Sequence, residues 1–236
     1  MQPAFIDGLI SLSVCGVYFF MKTIPYNKND YPFDAHIKAV LGAYDLQKLH
    51  EKVEGEYAEQ FQVGKDSSTI FHSKFYDQYR AGWPAFEFLY ERFIIDVIAS
   101  LFDEDFLYQK FPTFRVHLQG NIAVGAFHND ADFGHPNGEI NYIIPLTDSD
   151  DTATVWVESE PGKEDFKPIP MRVGELIQFD GNHLTHGNKK NETGCTRVSM
   201  DFRVLPISKY NPENETESVT RRTKFQEGAY YKRFTK

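Results

Sequence analysis

Cys195-Thr196-Arg197-Val198-Ser199-Met200-Asp201-Phe202-Arg203-Val204-Leu205 alternates with a period of two. Side chains on a strand point to opposite faces in turn, so Thr196, Val198, Met200, Phe202 and Val204 share an apolar face. Cys195, Arg197, Ser199, Asp201 and Arg203 share the other. A solvated edge strand gives this pattern and is its commoner cause. Arg197 and Ser199 also stand two apart, so an arginine fork and a hydroxyl can grip one carboxylate together.

Upstream lie His128-Asn129-Asp130 and His183-Leu184-Thr185-His186-Gly187. On a strand His128 and Asp130 point to one face and can hold one metal while Asn129 points away. His186 would arrive from a distant strand or turn as the third ligand. Two histidines and a carboxylate with open positions form the donor set of non-haem Fe(II) sites. A His-x-acid pair alone is weak: eight His and 34 Asp plus Glu in 236 residues give about one by chance. The bland reading of His128 is a surface or hydrogen-bonded core histidine. The order carries the weight: His-x-Asp, an apolar strand ending in Pro145-Leu146, Gly174-Glu175 opening another, then His-Gly and Arg-x-Ser.

Working outward, the period changes from 3.6 to 2 at Phe111. Phe114, Val116 and Leu118 alternate with Arg115, His117 and Gln119, and Ile122, Val124, Ala126 and His128 share one face of a predicted next strand. Further strands are predicted over Ile140–Leu146, Thr152–Glu158, Met171–Val173, Leu176–Phe179 and Cys195–Leu205, with loop from Pro161 to Pro170. Many short strands between turns read as a sandwich or barrel. Before Phe111 the chain is helical in character. Asp34 caps a predicted helix running to about Glu54, with a break allowed at Asp45-Leu46. Glu56 to Ser73 reads as loop with some short helix. Ala85 to Phe102 gives the strongest helical signal, and Pro84 suits its first turn. This helix is expected against the outer sheet, with its aromatics as core.

A chain of 236 residues can bury a real core, and one domain overall is the default. Its parts are an apolar extension over 1–20, a helical support over 21–110, a β core over 111–210 and a tail over 211–236. The formal charge of −9 argues against nucleic acid, whose phosphates would be repelled. Cys15 and Cys195 make no disulfide framework and read as reduced thiols, hence a cytoplasmic expectation. The uncharged run Gly8 to Met21 falls short of the ~20 residues a membrane-spanning helix needs, and no basic segment precedes it. No membrane association is expected. The run reads as a buried strand or helix, or as an extension before a catalytic unit opening at Met21.

The sequence resembles the Fe(II)/2-oxoglutarate oxygenases, and among them the phytanoyl-CoA-dioxygenase-like branch found in streptomycin-type biosynthesis clusters. The residues that carry this are Pro112-Thr113-Phe114-Arg115, the His128 pair, Glu139-Ile140-Asn141-Tyr142, Val157 through Gly162, and His186-Gly187-Asn188 through Phe202-Arg203. The resemblance covers about residues 111–206. It implies a mainly β fold with flanking helices, a double-stranded β-helix (the cupin-like jelly roll) with the N-terminal helices on its outer sheet. It implies Fe(II) on His128, Asp130 and His186, with 2-oxoglutarate and O2 as cosubstrates. The glycine that the family places after the distal ligand favours His186 over His183.

Arg197, by its spacing from His186 in the family, would take the far carboxylate of 2-oxoglutarate, helped by Ser199, with Arg203 as fallback. Asp201 is expected to pair with an arginine. Asn141 and Gln119, polar on apolar strands, would be satisfied by a 2-oxoglutarate or ligand carboxylate. Asp132 and His135 would lie at the mouth and touch substrate. Arg115 and His117 either line the pocket or are satisfied structural groups. The Gly228-Ala229-Tyr230-Tyr231 element either covers the site or packs on the N-terminal helices. The implied reaction hydroxylates a small polar metabolite such as an amino sugar, cyclitol or amino acid, releasing succinate and CO2. The competing readings are a cupin-like metalloenzyme that needs no Arg197, and a non-catalytic sugar-binding module.

Overall fold

The computed structural model describes residues 12–14, 17–19, 21–53, 69–123, 126–218 and 222–236. Among the described residues, antiparallel sheets of seven and three strands, a separate two-stranded ribbon and three α-helices are present, and the two larger sheets build a jelly roll. Leu12–Val14 (β1) and Val17–Phe19 (β2) pair only with each other in a small antiparallel ribbon. The rest of the apolar run before Met21 lies outside the described residues. Lys22–Pro25 (β3) then forms one end of the larger sheet.

The helices follow. Phe33–Leu41 (α1) stops at Gly42, whose φ of 63° is left-handed. Ala43 N–H donates to Lys38 O at 3.0 Å and closes the last turn. The helical stretch expected to reach about Glu54 is thus divided, as the break allowed at Asp45-Leu46 permits: the first part ends at Gly42 and Leu46–Val53 follows as a 3-10 segment kinked at Lys48. Residues 56–68 of the stretch read as loop with some short helix lie outside the described residues; its end, from Ile70, belongs to the longer helix Ile70–Ala81 (α2), which Thr69 caps, its Oγ1 accepting from His72 N–H at 3.3 Å. Pro84–Asp96 (α3) carries proline in its first turn, as expected, and Ile98–Leu101 adds a 3-10 turn.

The strands are Phe106–Gln109 (β4), Thr113–His117 (β5), Ile140–Pro145 (β6), Val155–Val157 (β7), Lys167–Pro168 (β8), Glu175–Phe179 (β9), His186–Asn188 (β10), Arg197–Pro206 (β11) and Tyr231–Phe234 (β12). The larger sheet runs β12-β4-β11-β6-β9-β3, with β5 also on β11. β11 is thus the centre of the sheet, not an edge. β6 flanks it from Ser199↔Pro145 to Val204↔Ile140, and β5 lies opposite from Arg197↔His117 to Asp201↔Thr113. The smaller sheet is β10-β7-β8, registered by His186↔Val157.

Alternation on β11 now has its cause. Val198, Met200, Phe202 and Val204 join Phe86, Leu89, Tyr90, Phe93 and Ile94 of α3 in the largest core cluster. Phe75 of α2 stacks on Phe114 of β5 at 4.4 Å between centroids. Each such ring contributes roughly 1.5–3 kcal/mol by burial. The opposite face of the sheet meets a second cluster built from Ile143, Val157, Ile169, Met171, Ile177, Phe179 and Leu184. Arg197, Ser199 and Arg203 are buried on that inner side.

Three strand expectations change. Among the described residues of 122–128 no strand forms: Asn121 Oδ1 takes the Ile122 and Ala123 N–H groups, residues 124–125 lie outside the described residues, and of the others only His128 bridges to His186. Asp151 adopts a φ of 47° and starts a 3-10 turn, so the strand expected from Thr152 begins at Val155. Met171 makes a single bridge to Ser149 instead of a strand to Val173. At the other end, β12 pairs with β4 from Tyr231↔Gln109 to Phe234↔Phe106, placing the C-terminal aromatics at the sheet edge. Among the described residues no helix is long and apolar enough to cross a membrane.

Candidate metal centre

The two histidines meet through their backbones. His128 N–H donates to His186 O at 3.0 Å and His186 N–H returns to His128 O at 2.8 Å. After His128 the chain leaves strand geometry. Asn129 caps a 3-10 turn over Asp130–Phe133, its Oδ1 accepting from Asp132 N–H at 3.1 Å. Asp130 N–H donates to Gly181 O at 2.8 Å. His128 and Asp130 therefore converge through a strand-to-turn corner, not along one strand face.

His128 Nε2 and His186 Nε2 lie 3.7 and 3.8 Å from Asp130 Oδ1. All three donor atoms fall within 4.8 Å of one another. Each imidazole donates from Nδ1 to a backbone carbonyl, His128 to Ala126 O at 2.8 Å and His186 to Leu184 O at 2.9 Å. That hydrogen bond leaves the Nε2 lone pair free to bind a cation. Burial, with the neighbouring His128, lowers the His186 pKa against the pull of Asp130, so the ring stays neutral. Two imidazole nitrogens and a carboxylate oxygen aimed at one point fit a first-row divalent metal.

Asp130 is 3% exposed. Its other oxygen, Oδ2, accepts from Arg203 Nε at 3.0 Å, Arg203 Nη2 at 2.8 Å and Asn141 Nδ2 at 2.7 Å. Burial would raise this carboxyl, but Arg203, His186, His135 and the Asn141 amide outweigh it and hold it well below the usual range. Behind Arg203 stands Glu139, 2% exposed. Its Oε2 accepts from His135 Nδ1 at 2.7 Å, and its Oε1 accepts from the Tyr231 hydroxyl of β12. Burial and Glu139 raise the Tyr231 phenol far above its ordinary value, so it stays a donor.

The remaining candidates separate into groups. Asn141 serves the ligand carboxylate. Arg197 is 2% exposed and donates from Nη1 to Asn188 Oδ1 at 3.1 Å, on the inner face shared with buried Ser199. Asn188 stands two residues beyond His186 on β10, so Arg197 is joined by one hydrogen bond to the strand that carries His186. Arg203 is committed to Asp130, and Arg115 donates to Asp201 Oδ1 at 2.7 Å. Asp201 thus pairs with arginine.

His117 is fully buried, its ring nitrogens facing Asn121 O and Ala153 O at 2.8 and 3.3 Å, and burial lowers its pKa to about 4. It is a structural group. Gln119 Oε1 accepts from Gly194 N–H at 2.7 Å at the far end of the sheet, which draws it away from the three ligand candidates. His135, expected at the mouth, is instead turned inward onto Glu139 and covered by the Phe225 ring at 4.5 Å. Asp132 is exposed in the 3-10 turn after Asp130. His183 faces Asp180 at 2.9 Å, outside the ligand group.

Other residues that shape the site have weaker signals in the sequence. Glu158 is 1% exposed and accepts from Thr185 N–H at 2.7 Å, holding the turn that delivers His186. Gly187 has a steric reason: a Cβ there would lie 3.0 Å from Phe127 Cα, at the crossing that carries His128. Gly181 faces the same limit, since a Cβ would lie 2.6 Å from Asn141 Nδ2. Gly187→Ala is expected to part the His128–His186 backbone pair and weaken Co(II) binding about tenfold or more, with far-ultraviolet dichroism unchanged. Calorimetric titration checks this, and wild-type affinity in the variant would refute the steric account.

No family model matches the chain. It is 36% identical over 206 residues to the streptomycin biosynthesis protein StrG of Streptomyces griseus, spanning 87% of this chain and 94% of that protein. Among solved structures it is similar to the ThoJ non-haem monooxygenase in complex with nickel (16% identity, TM-score 0.45, 79% of this chain and 73% of that one). It is also similar to AviO1 of Streptomyces viridochromogenes Tue57 (16% identity, TM-score 0.43, 81% and 91%). A third is EctD of S. alaskensis in its apo form (14% identity, TM-score 0.45, 89% and 81%).

Proposed function

Because the chain belongs to the family of the streptomycin biosynthesis protein StrG, we propose that it is a non-haem iron oxygenase using 2-oxoglutarate, acting on a small polar metabolite in a biosynthetic pathway. The observation that carries this reading is the convergence of His128 Nε2, Asp130 Oδ1 and His186 Nε2, with the other Asp130 oxygen already taken by Arg203 and Asn141. A carboxylate so held presents one oxygen, and three donors leave the rest of an iron's coordination sphere to cosubstrates.

When bound, iron and 2-oxoglutarate supply the oxidising chemistry, in which O2 is consumed, 2-oxoglutarate becomes succinate and CO2, and a substrate C–H becomes C–OH. The chain's residues set the stage for it. The Ala126 and Leu184 carbonyls fix both imidazole tautomers. Arg203 and Asn141 keep Asp130 ionised and in place. Arg197, with Ser199 two residues on, offers a buried cationic fork for a distant carboxylate. Phe133 packs edge-on to His128 at 4.9 Å and shields one side of that ligand from water.

Anaerobic titration with Fe(II) and then 2-oxoglutarate tests the class before a substrate is known. A weak visible charge-transfer band is expected only when both are present. Arg197→Ala should raise the 2-oxoglutarate concentration needed by a factor equivalent to about 2–3 kcal/mol while Fe(II) binding stays near wild type. No band in the wild-type protein would reject 2-oxoglutarate; an unchanged requirement in the variant would move the carboxylate partner elsewhere.

A further inference from the structure

Arg203 stands among three carboxylates. It donates to Asp130 Oδ2 from Nε and Nη2, lies 3.5 Å from Asp201 Oδ2 through Nη1, and its Nε is 3.8 Å from Glu139 Oε2. Asp201 has a second cation in Arg115 at 2.7 Å. Among the described residues Glu139 has no arginine or lysine so close; its carboxylate is held by His135 on Oε2 and the Tyr231 hydroxyl on Oε1. Its side chain is 1% exposed, so water offers little in their place. A guanidinium that can turn a short distance will follow whichever buried carboxylate is less satisfied.

We propose that Tyr231 is a positioning residue of the metal centre: by satisfying Glu139 it keeps Arg203 on Asp130, so that Asp130 turns one oxygen toward the two histidines. This rests on the reading of His128, Asp130 and His186 as a metal site. The link runs from β12 through Glu139 and Arg203 to Asp130, and it assigns a role to a tyrosine that touches no ligand atom. With the Tyr231 hydroxyl gone, Glu139 Oε1 loses its donor, and Arg203 moves toward Glu139. Asp130 then loses one of the bonds that orient it.

The test uses the full chain and Co(II), whose visible spectrum reports its ligands. Tyr231→Phe keeps the buried ring and is expected to weaken Co(II) binding about tenfold and to shift the visible bands. Adding Glu139→Gln removes the charge that competes for Arg203, so Tyr231→Phe/Glu139→Gln should regain wild-type affinity to within about twofold. Rescue by the second substitution is the outcome that a purely structural hydroxyl would not give. Unchanged affinity and bands in Tyr231→Phe overturn the proposal, as does a loss that Glu139→Gln leaves uncorrected. A wild-type chain that binds no Co(II) overturns the metal reading itself, and this role with it.

Discussion

His186→Ala is expected to weaken metal binding strongly and abolish turnover, while His183→Ala, three residues earlier, keeps both. His186 supplies one of three converging donor atoms and is held in its tautomer by Leu184 O at 2.9 Å. Removing one donor of three should cost on the order of a hundredfold or more in Co(II) affinity. The fold should survive, because His186 joins His128 through backbone atoms that alanine retains. His183 turns its ring to Asp180 at 2.9 Å and lies outside the ligand group. Calorimetric Co(II) titration of both variants decides the matter. Metal loss in His183→Ala with retention in His186→Ala would transfer the ligand role to His183.

Arg203→Met should be the most destabilising single change at the site. The methionine fills part of the volume but leaves Asp130 and Glu139 buried with no guanidinium between them. Breaking a buried pair by removing one partner costs about 3–5 kcal/mol, because a charge is left uncompensated. A domain of this kind has about 5–15 kcal/mol of stability in all, so the loss is a large fraction. Arg203→Lys should fall between, keeping the charge but losing the fork that places two N–H groups on one oxygen. Urea unfolding of the metal-free proteins measures both. A loss below about 1 kcal/mol in Arg203→Met, within the range of surface changes, would show that the acids find other partners. Added Co(II) should return part of the lost stability, since a cation bound at Asp130 replaces some of the missing charge.

Much of this was legible in the sequence where local chemistry is decisive. The alternation of β11 predicted two faces, and the structure fills one with helix contacts and the other with Arg197, Ser199 and Arg203. A solvated edge is the commoner cause of such alternation; pairing with β6, β4 and β5 makes β11 the middle of the sheet, and strand order is a long-range property that one strand does not encode. His128, Asp130 and His186 were legible as a set, but the corner between the first two was not, because it depends on Asn129 capping a turn. Arg203 read as a spare carboxylate partner; its bond to Asp130 joins residues 73 apart. The inward turn of His135 needs Phe225 from the far end of the chain. Glu139, an acid opening an apolar strand, was a signal in plain view. Gly42 was another: a glycine after an apolar helical run is a common stop, and it ends α1 just ahead of the break allowed at Asp45-Leu46.

The two sheets are unequally built. The larger has α3 behind it and a ten-residue central strand; the smaller consists of strands of two or three residues. Asp130 is tied to the larger sheet through Arg203 and Asn141, whereas His186 and, by its bridge, His128 belong to the smaller. A cation held by all three is therefore a rivet between a stiff plate and a slack one. A cation bound there would stabilise the folded state by mass action, and its protection is expected to be greatest on the short strands that carry the two histidines.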